Sequence, residues 1–202
     1  MLKEELLRSL KNRGISQKVL DAFSKVKRED FVDKDLENSA YNDGVLPIGK
    51  GMTISQPYTI GVMLDLLKPE EGQKVLELGS GCGYVSALIS VIVGEKGRVY
   101  GVEIIPELVE KSKRNLRNYQ NVKVYSGNGR KGLKEKAPFD RIIISAACDE
   151  IPKKVLHQLK DKAMAVAPIG PQYEQVLISI QRENNTFSIR EKVPGFRFVP
   201  FR

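Results

Sequence analysis

The stretch Glu77-Leu78-Gly79-Ser80-Gly81-Cys82-Gly83-Tyr84 places glycine at every second position directly after an acid. Alternating glycines let a backbone turn sharply and approach a ligand that a Cβ would exclude. The stretch matches none of three familiar loops. A dinucleotide fingerprint needs a small residue where Tyr84 stands, a Walker loop needs Gly-Lys-Ser/Thr, and a hydrolase elbow does not flank its serine with glycine on both sides. A second acid, Glu103, ends the run RVYGVE, where a carboxylate can accept from both hydroxyls of a ribose. An acid beside the glycine turn would repel a pyrophosphate, whereas Glu77 and Glu103 together suit a ligand carrying an ammonium and a sulfonium. These residues therefore favour S-adenosylmethionine over NAD. Gly127-Asn128-Gly129 forms a further turn, expected to lie over the adenine. The expected cofactor contacts are Glu77, Gly79, Ser80, Gly81, Cys82, Gly83, Glu103, Asn128 and Gly129.

Those residues need a scaffold. KVLELG (74–79), RVYGVE (98–103), VKVYS (122–126), DRIIIS (140–145) and AMAVAP (163–168) read as strands. Helical runs follow the first two, the second opened by Pro106. Strands alternating with helices predict a doubly wound, mostly parallel α/β sheet, in which ligands bind beyond the carboxyl ends of the strands where strand order reverses. QVLISIQR and TFSIREK are separated only by Glu183, Asn184 and Asn185, a link too short for a parallel crossover and right for an antiparallel hairpin. A parallel sheet ending in such a hairpin is the Rossmann-like architecture of common methyltransferases. Ahead of it, Leu6, Leu7 and Leu10 mark one amphipathic helix. Ser16 is placed to cap a second, with Val19, Leu20, Ala22, Phe23 and Val26 on its apolar face. From 31 to 56 the periodicity fails and a long loop is expected, the kind of segment that carries sites. Pro57 then starts a helix. The expected organisation is one structural domain, with residues 1–56 as N-terminal helices and substrate loop and 57–202 as the S-adenosylmethionine-binding core.

Composition narrows the function classes. With 202 residues and 41% hydrophobic content the chain can bury one sizeable core. It holds no apolar run near the ~20 residues of a membrane span, and its opening MLKEELLRSLKNRG lacks the apolar stretch of a signal peptide, so a cytoplasmic protein without membrane partners is expected. Cys82, Cys148 and His157 are the only residues of their types and lie far apart, which predicts neither a metal site nor a disulfide. The net charge of +8 is spread among 25 acids, without the aromatic-basic interleaving of a single-strand nucleic-acid binder. Enzymes that methylate a base nitrogen often hold the base with Asn/Asp-Pro-Pro-aromatic after the fourth strand, where this chain has Ser145-Ala146-Ala147-Cys148. No nucleic-acid partner is expected.

Several segments together resemble the protein-L-isoaspartate O-methyltransferases: LPIGKGMTISQPY (46–58), ELGSGCGY, KAPFDRIIISAACDEIP (136–152) and the C-terminal FRFVPF (196–201). Order and spacing agree from about residue 20 to the end. The resemblance implies methyl transfer from S-adenosylmethionine to the free α-carboxylate of an L-isoaspartyl residue, giving an ester that collapses to a succinimide and partly returns aspartate. It also implies Ser55 as the active-site serine, with Thr53, Ile54, Ser55, Gln56, Pro57, Phe198 and Val199 at the peptide site of a monomeric enzyme. Read without the resemblance, Ser55 is a helix N-cap before Pro57. Asn128, Cys82 and Met52 depart from the family's usual Asp, Ser/Thr and Gln. A carboxylate is already ionised at neutral pH and a sulfonium is already an activated donor, so no general base is needed.

Overall fold

A computed structural model describes residues 1–171 and 173–201. Its centre is β3 (Lys74–Leu78), flanked by parallel β4 (Arg98–Glu103) on one side and β6 (Phe139–Ile144) on the other. β5 (Val122–Ser126) adds outside β4, and β7 (Leu159–Ile169), β8 (Gln175–Glu183) and β9 (Thr186–Phe196) add outside β6, giving the order β5-β4-β3-β6-β7-β8-β9. β3 to β7 run parallel, whereas β8 is antiparallel to both β7 and β9. The doubly wound sheet with its terminal hairpin is therefore as the sequence predicts. Glu183 pairs with Thr186, so the hairpin turn is Asn184-Asn185, with Asn184 in the left-handed region at φ 56°. β7 and β9 extend beyond their apolar runs, because pairing continues where side chains face solvent.

Strand side chains alternate between two cores: Val75 of β3 joins one, Leu76 and Leu78 the other. The first core lies under α1 (Lys3–Asn12), α2 (Gln17–Lys25), α3 (Pro57–Leu67) and α4 (Tyr84–Val93). α4 is apolar almost all round because the N-terminal helices cover the side that the sheet does not. Phe23 and Phe31 approach its Tyr84, with ring centroids 6.3 and 5.3 Å away. Each large side chain buried this way contributes about 1.5–3 kcal/mol. Ser16 stands at the N-cap of α2, but its hydroxyl donates to Asp65 of α3 and does not accept from its own helix. That interhelical bond replaces the expected local cap.

The expected long loop is more ordered than its composition suggests. A 3₁₀ turn at Arg28–Phe31 leads into it, and it contains a second at Lys34–Ser39 and a hairpin of β1 (Leu46–Gly49) and β2 (Met52–Ile54). The hairpin turn is Lys50-Gly51, both at positive φ as a tight primed turn requires. Lys111 of α5 (Pro106–Asn115) holds it in place by donating to the Ile48 carbonyl at 3.2 Å. His157 lies just past the one-turn α6 (Lys153–Leu156), edge-on to Phe187. Among the described residues, no helix is long and apolar enough to cross a membrane.

Candidate active site

Strand order reverses at β3, and the chain segments leaving β3, β4 and β6 converge there. Gly79, Gly81 and Gly83 of the turn after β3 all have positive φ. A Cβ on Gly83 would lie 2.7 Å from the Leu116 side chain and one on Gly81 would lie 3.0 Å from that of Ile48, so at these two positions a side chain is crowded as well as strained. Glu103 locks its shape. One oxygen accepts from the Gly81 N–H at 2.8 Å, the other from Ile104 and Ile105 at 2.8 and 3.0 Å. Three of the roughly four acceptor positions of a carboxylate are thus filled by backbone, which leaves less capacity for two ribose hydroxyls than the sequence alone suggests.

Above the turn lies a narrow cleft open to solvent. Gly79, Gly81, Glu103, Gly129 and Ser145 line it together with apolar Ile48, Ile105, Leu108 and Phe201. A flat aromatic base fits between such walls, and a ribose fits beside a carboxylate. These residues suit the nucleoside of S-adenosylmethionine. Asn128 is not part of the wall. It is exposed, and its amide oxygen caps the next turn by accepting from the Arg130 N–H at 2.8 Å. Gly129 fills the place instead, 2.7 Å from the Phe201 ring if it bore a Cβ.

Glu77 lies beneath the turn, fully buried. Its oxygens accept from Ser86 and, at 2.9 Å, from Ser145. Burial pushes its carboxyl up to about 7, against the two serine bonds that pull it down. It shares a small cavity with Ser55, Ser80, Cys82 and Ser145. Cys82 is buried and its thiol is pushed up to about 11, so it is not an ionised nucleophile near neutral pH.

A second, broader cleft adjoins the first. Thr53, Ser55, Gln56 and Tyr58 form one side and residues 193–200 the other. Phe198 and Val199 belong to it, Val199 also reaching the first cleft; Thr53 lines both clefts and the small cavity. Ile54 and Pro57 turn inward, Ile54 into the core and Pro57 as the first residue of α3. The C-terminal segment is held by paired backbone bonds, Ala147 N–H to the Val199 carbonyl at 2.8 Å and Phe201 N–H to the Ala147 carbonyl at 2.7 Å. The buried Gln175 accepts from Phe198 N–H at 2.7 Å. Ser55 is not the cap of α3. Gln56 occupies the N-cap, and Asp43 accepts from the Tyr58 N–H at 2.9 Å. This frees the Ser55 hydroxyl for another partner.

The protein family described as Protein-L-isoaspartate(D-aspartate) O-methyltransferase (PCMT) matches residues 1–202. The chain belongs to this family. It is 42% identical over 199 residues to the protein-L-isoaspartate O-methyltransferase of Fervidobacterium nodosum, covering 98% of this chain and 100% of that one. It is 45% identical to the enzyme of that name from Methanothrix thermoacetophila, covering 99% and 94%. Among solved structures, one named protein-L-isoaspartate O-methyltransferase superposes with a TM-score of 0.88 at 30% identity, covering 98% of this chain, which spans 65% of that longer one. Another, described as a protein-L-isoaspartate O-methyltransferase from Plasmodium falciparum in complex with S-adenosyl-L-homocysteine, gives 0.83 at 26%, covering 98% and 97%.

Within this member of the family, several cleft residues are not singled out as contacts by the sequence, although Ile48, Ser145 and Phe201 lie in segments that carry the resemblance. Ser145 could have been found, since it directly follows a central parallel strand at the switch point. Ile48, Leu108 and Phe201 come from a hairpin, a helix and the C-terminal segment, and only the fold brings them together.

Proposed function

We propose that this protein transfers the methyl group of S-adenosylmethionine to the free α-carboxylate of L-isoaspartyl residues in damaged proteins, initiating their repair. The observation that carries this reading is the junction of the two clefts. Thr53 belongs to both, and Ser55 lines the second cleft and the small cavity beside it without serving as the cap of α3. When bound, S-adenosylmethionine supplies a methyl group already activated on a sulfonium. The protein orients and shields. Glu103 and the glycine turn hold the nucleoside end, and Ile48, Leu108 and Phe201 exclude water from it. Thr53, Ser55, Gln56, Phe198 and Val199 receive the peptide, and the Ser55 hydroxyl donates to one carboxylate oxygen so that the other faces the methyl carbon. Such alignment can supply up to about 7–11 kcal/mol. In this reading residues 1–56 cover the reacting centre while 57–202 bind the donor, and the enzyme works as a cytoplasmic monomer.

The test is Ser55→Ala, assayed with an L-isoaspartyl peptide. A charge-assisted hydrogen bond contributes about 1.5–3 kcal/mol, so kcat is expected to fall at least about tenfold. Tm and the S-adenosylmethionine Kd should stay near wild type, because the hydroxyl neither caps α3 nor faces the donor. No turnover by wild type, or an unchanged kcat in the variant, would sink the reading.

A further inference from the structure

Arg28 opens the 3₁₀ turn before the hairpin and is fully buried. Its guanidinium reaches the two ends of the hairpin segment. Nη2 donates to the Ser55 carbonyl at 2.9 Å and to the Gly44 carbonyl at 3.4 Å. The guanidinium carbon lies 5.0 Å from the centroid of the Tyr84 ring. Nε and Nη1 are buried without a hydrogen-bond partner. No carboxylate forms an ion pair with Arg28 among the described residues. Tyr84 and, more weakly, Asp43 act on its charge, and the Asp43 carboxylate is engaged by Arg13, Gln56 and the Tyr58 N–H.

A buried cation without a counter-ion is a costly thing to keep. Holding two carbonyls would not require it, because a neutral amide donates as well. A positive charge matters where an anion arrives, and on the proposed reading the methyl-accepting carboxylate arrives at Ser55. We propose that Arg28 is a positioning residue for that carboxylate. It staples the Ser55 backbone to Gly44, and it sets an uncompensated positive charge behind the serine. The charge favours the carboxylate before reaction, when its negative charge is full, and so acts mainly on KM. The staple fixes the direction of the Ser55 hydroxyl and acts on kcat. This inference rests on the function proposed above.

The experiment compares wild type, Arg28→Met and Arg28→Lys, with an L-isoaspartyl peptide as substrate, S-adenosylhomocysteine as a binding probe, and Tm as a check on folding. Arg28→Met should raise the peptide KM by about tenfold or more and lower kcat as well, while S-adenosylhomocysteine affinity stays within about threefold. Arg28→Lys keeps the charge but ends in a more compact head that does not place a nitrogen where Nη2 stands, so its KM should stay within about threefold of wild type while kcat falls at least threefold. If the methionine variant does not fold, the lysine variant decides by that split between KM and kcat. Kinetic constants within about twofold of wild type in the folded variants would overturn the proposal, as would an equal loss of S-adenosylhomocysteine affinity. A wild type inactive on the isoaspartyl peptide would instead remove the functional reading on which the proposal stands.

Discussion

Glu77 and Glu103 look alike in the sequence, each an acid at the end of a strand, and the structure gives them different work. Glu103 is pinned by three backbone N–H groups and holds the glycine turn against β4. Glu77 is held by two serine hydroxyls in a buried place where ionisation is disfavoured. Its carboxyl stands at about 7 in the fold against 4.5 ordinarily, so between those values the folded protein binds more protons than the unfolded chain. Its contribution to stability is fully present below pH 4.5 and is lost as pH rises through 7. The full change is of order 3 kcal/mol. Without cofactor, Tm should therefore drop by several degrees more in wild type than in Glu77→Gln between about pH 5 and pH 8. Thermal unfolding of both proteins at the two pH values checks this. Parallel decline of the two curves would mean that Glu77 does not titrate in this window.

At the scale of elements, the segment from Arg28 to Pro57 departs most from the sequence reading. The central strands were legible because each is a short apolar run bounded by turn residues, and the hairpin β8–β9 because three polar residues cannot cross over. β1 and β2 were not, being four and three residues long, with Pro47 and Gly49 inside β1. Their order comes from partners distant in sequence, such as Lys111 from α5 and Arg28. Caps show the same limit. Ser16 and Ser55 have the residue type for local caps, yet Ser16 bonds to Asp65, and α3 is capped from the loop by Asp43. Asp43→Ala removes that cap and a partly exposed pair with Arg13, and it should cost about 1–3 kcal/mol. Urea unfolding measures the loss directly. A variant within about 0.5 kcal/mol of wild type would show that α3 needs no cap from the loop.

Across the whole molecule, the sheet's switch point fixes the donor cleft, and the N-terminal segment and C-terminal residues 193–201 bring a second cleft against it. The glycine turn and Glu103 were readable because they are contiguous or end a strand. The junction was not readable from spacing, since Thr53 and Ser55, Ser145, and Val199 come from three separate segments, and the sequence does not single out Ser145 as a contact. Asn128 sits in the expected turn, and its amide oxygen accepts from the Arg130 N–H. The central claim is that this junction presents an isoaspartyl carboxylate to the methyl donor. Its most direct test is the initial rate of labelled methyl transfer from S-adenosylmethionine to two peptides identical except for L-isoaspartate or L-aspartate. The aspartyl carboxylate hangs from a differently spaced backbone, and a misplacement near 1 Å can cost about a hundredfold, so kcat/KM should favour the isoaspartyl peptide by at least that factor. Equal labelling of the two peptides, or of neither, would contradict the account.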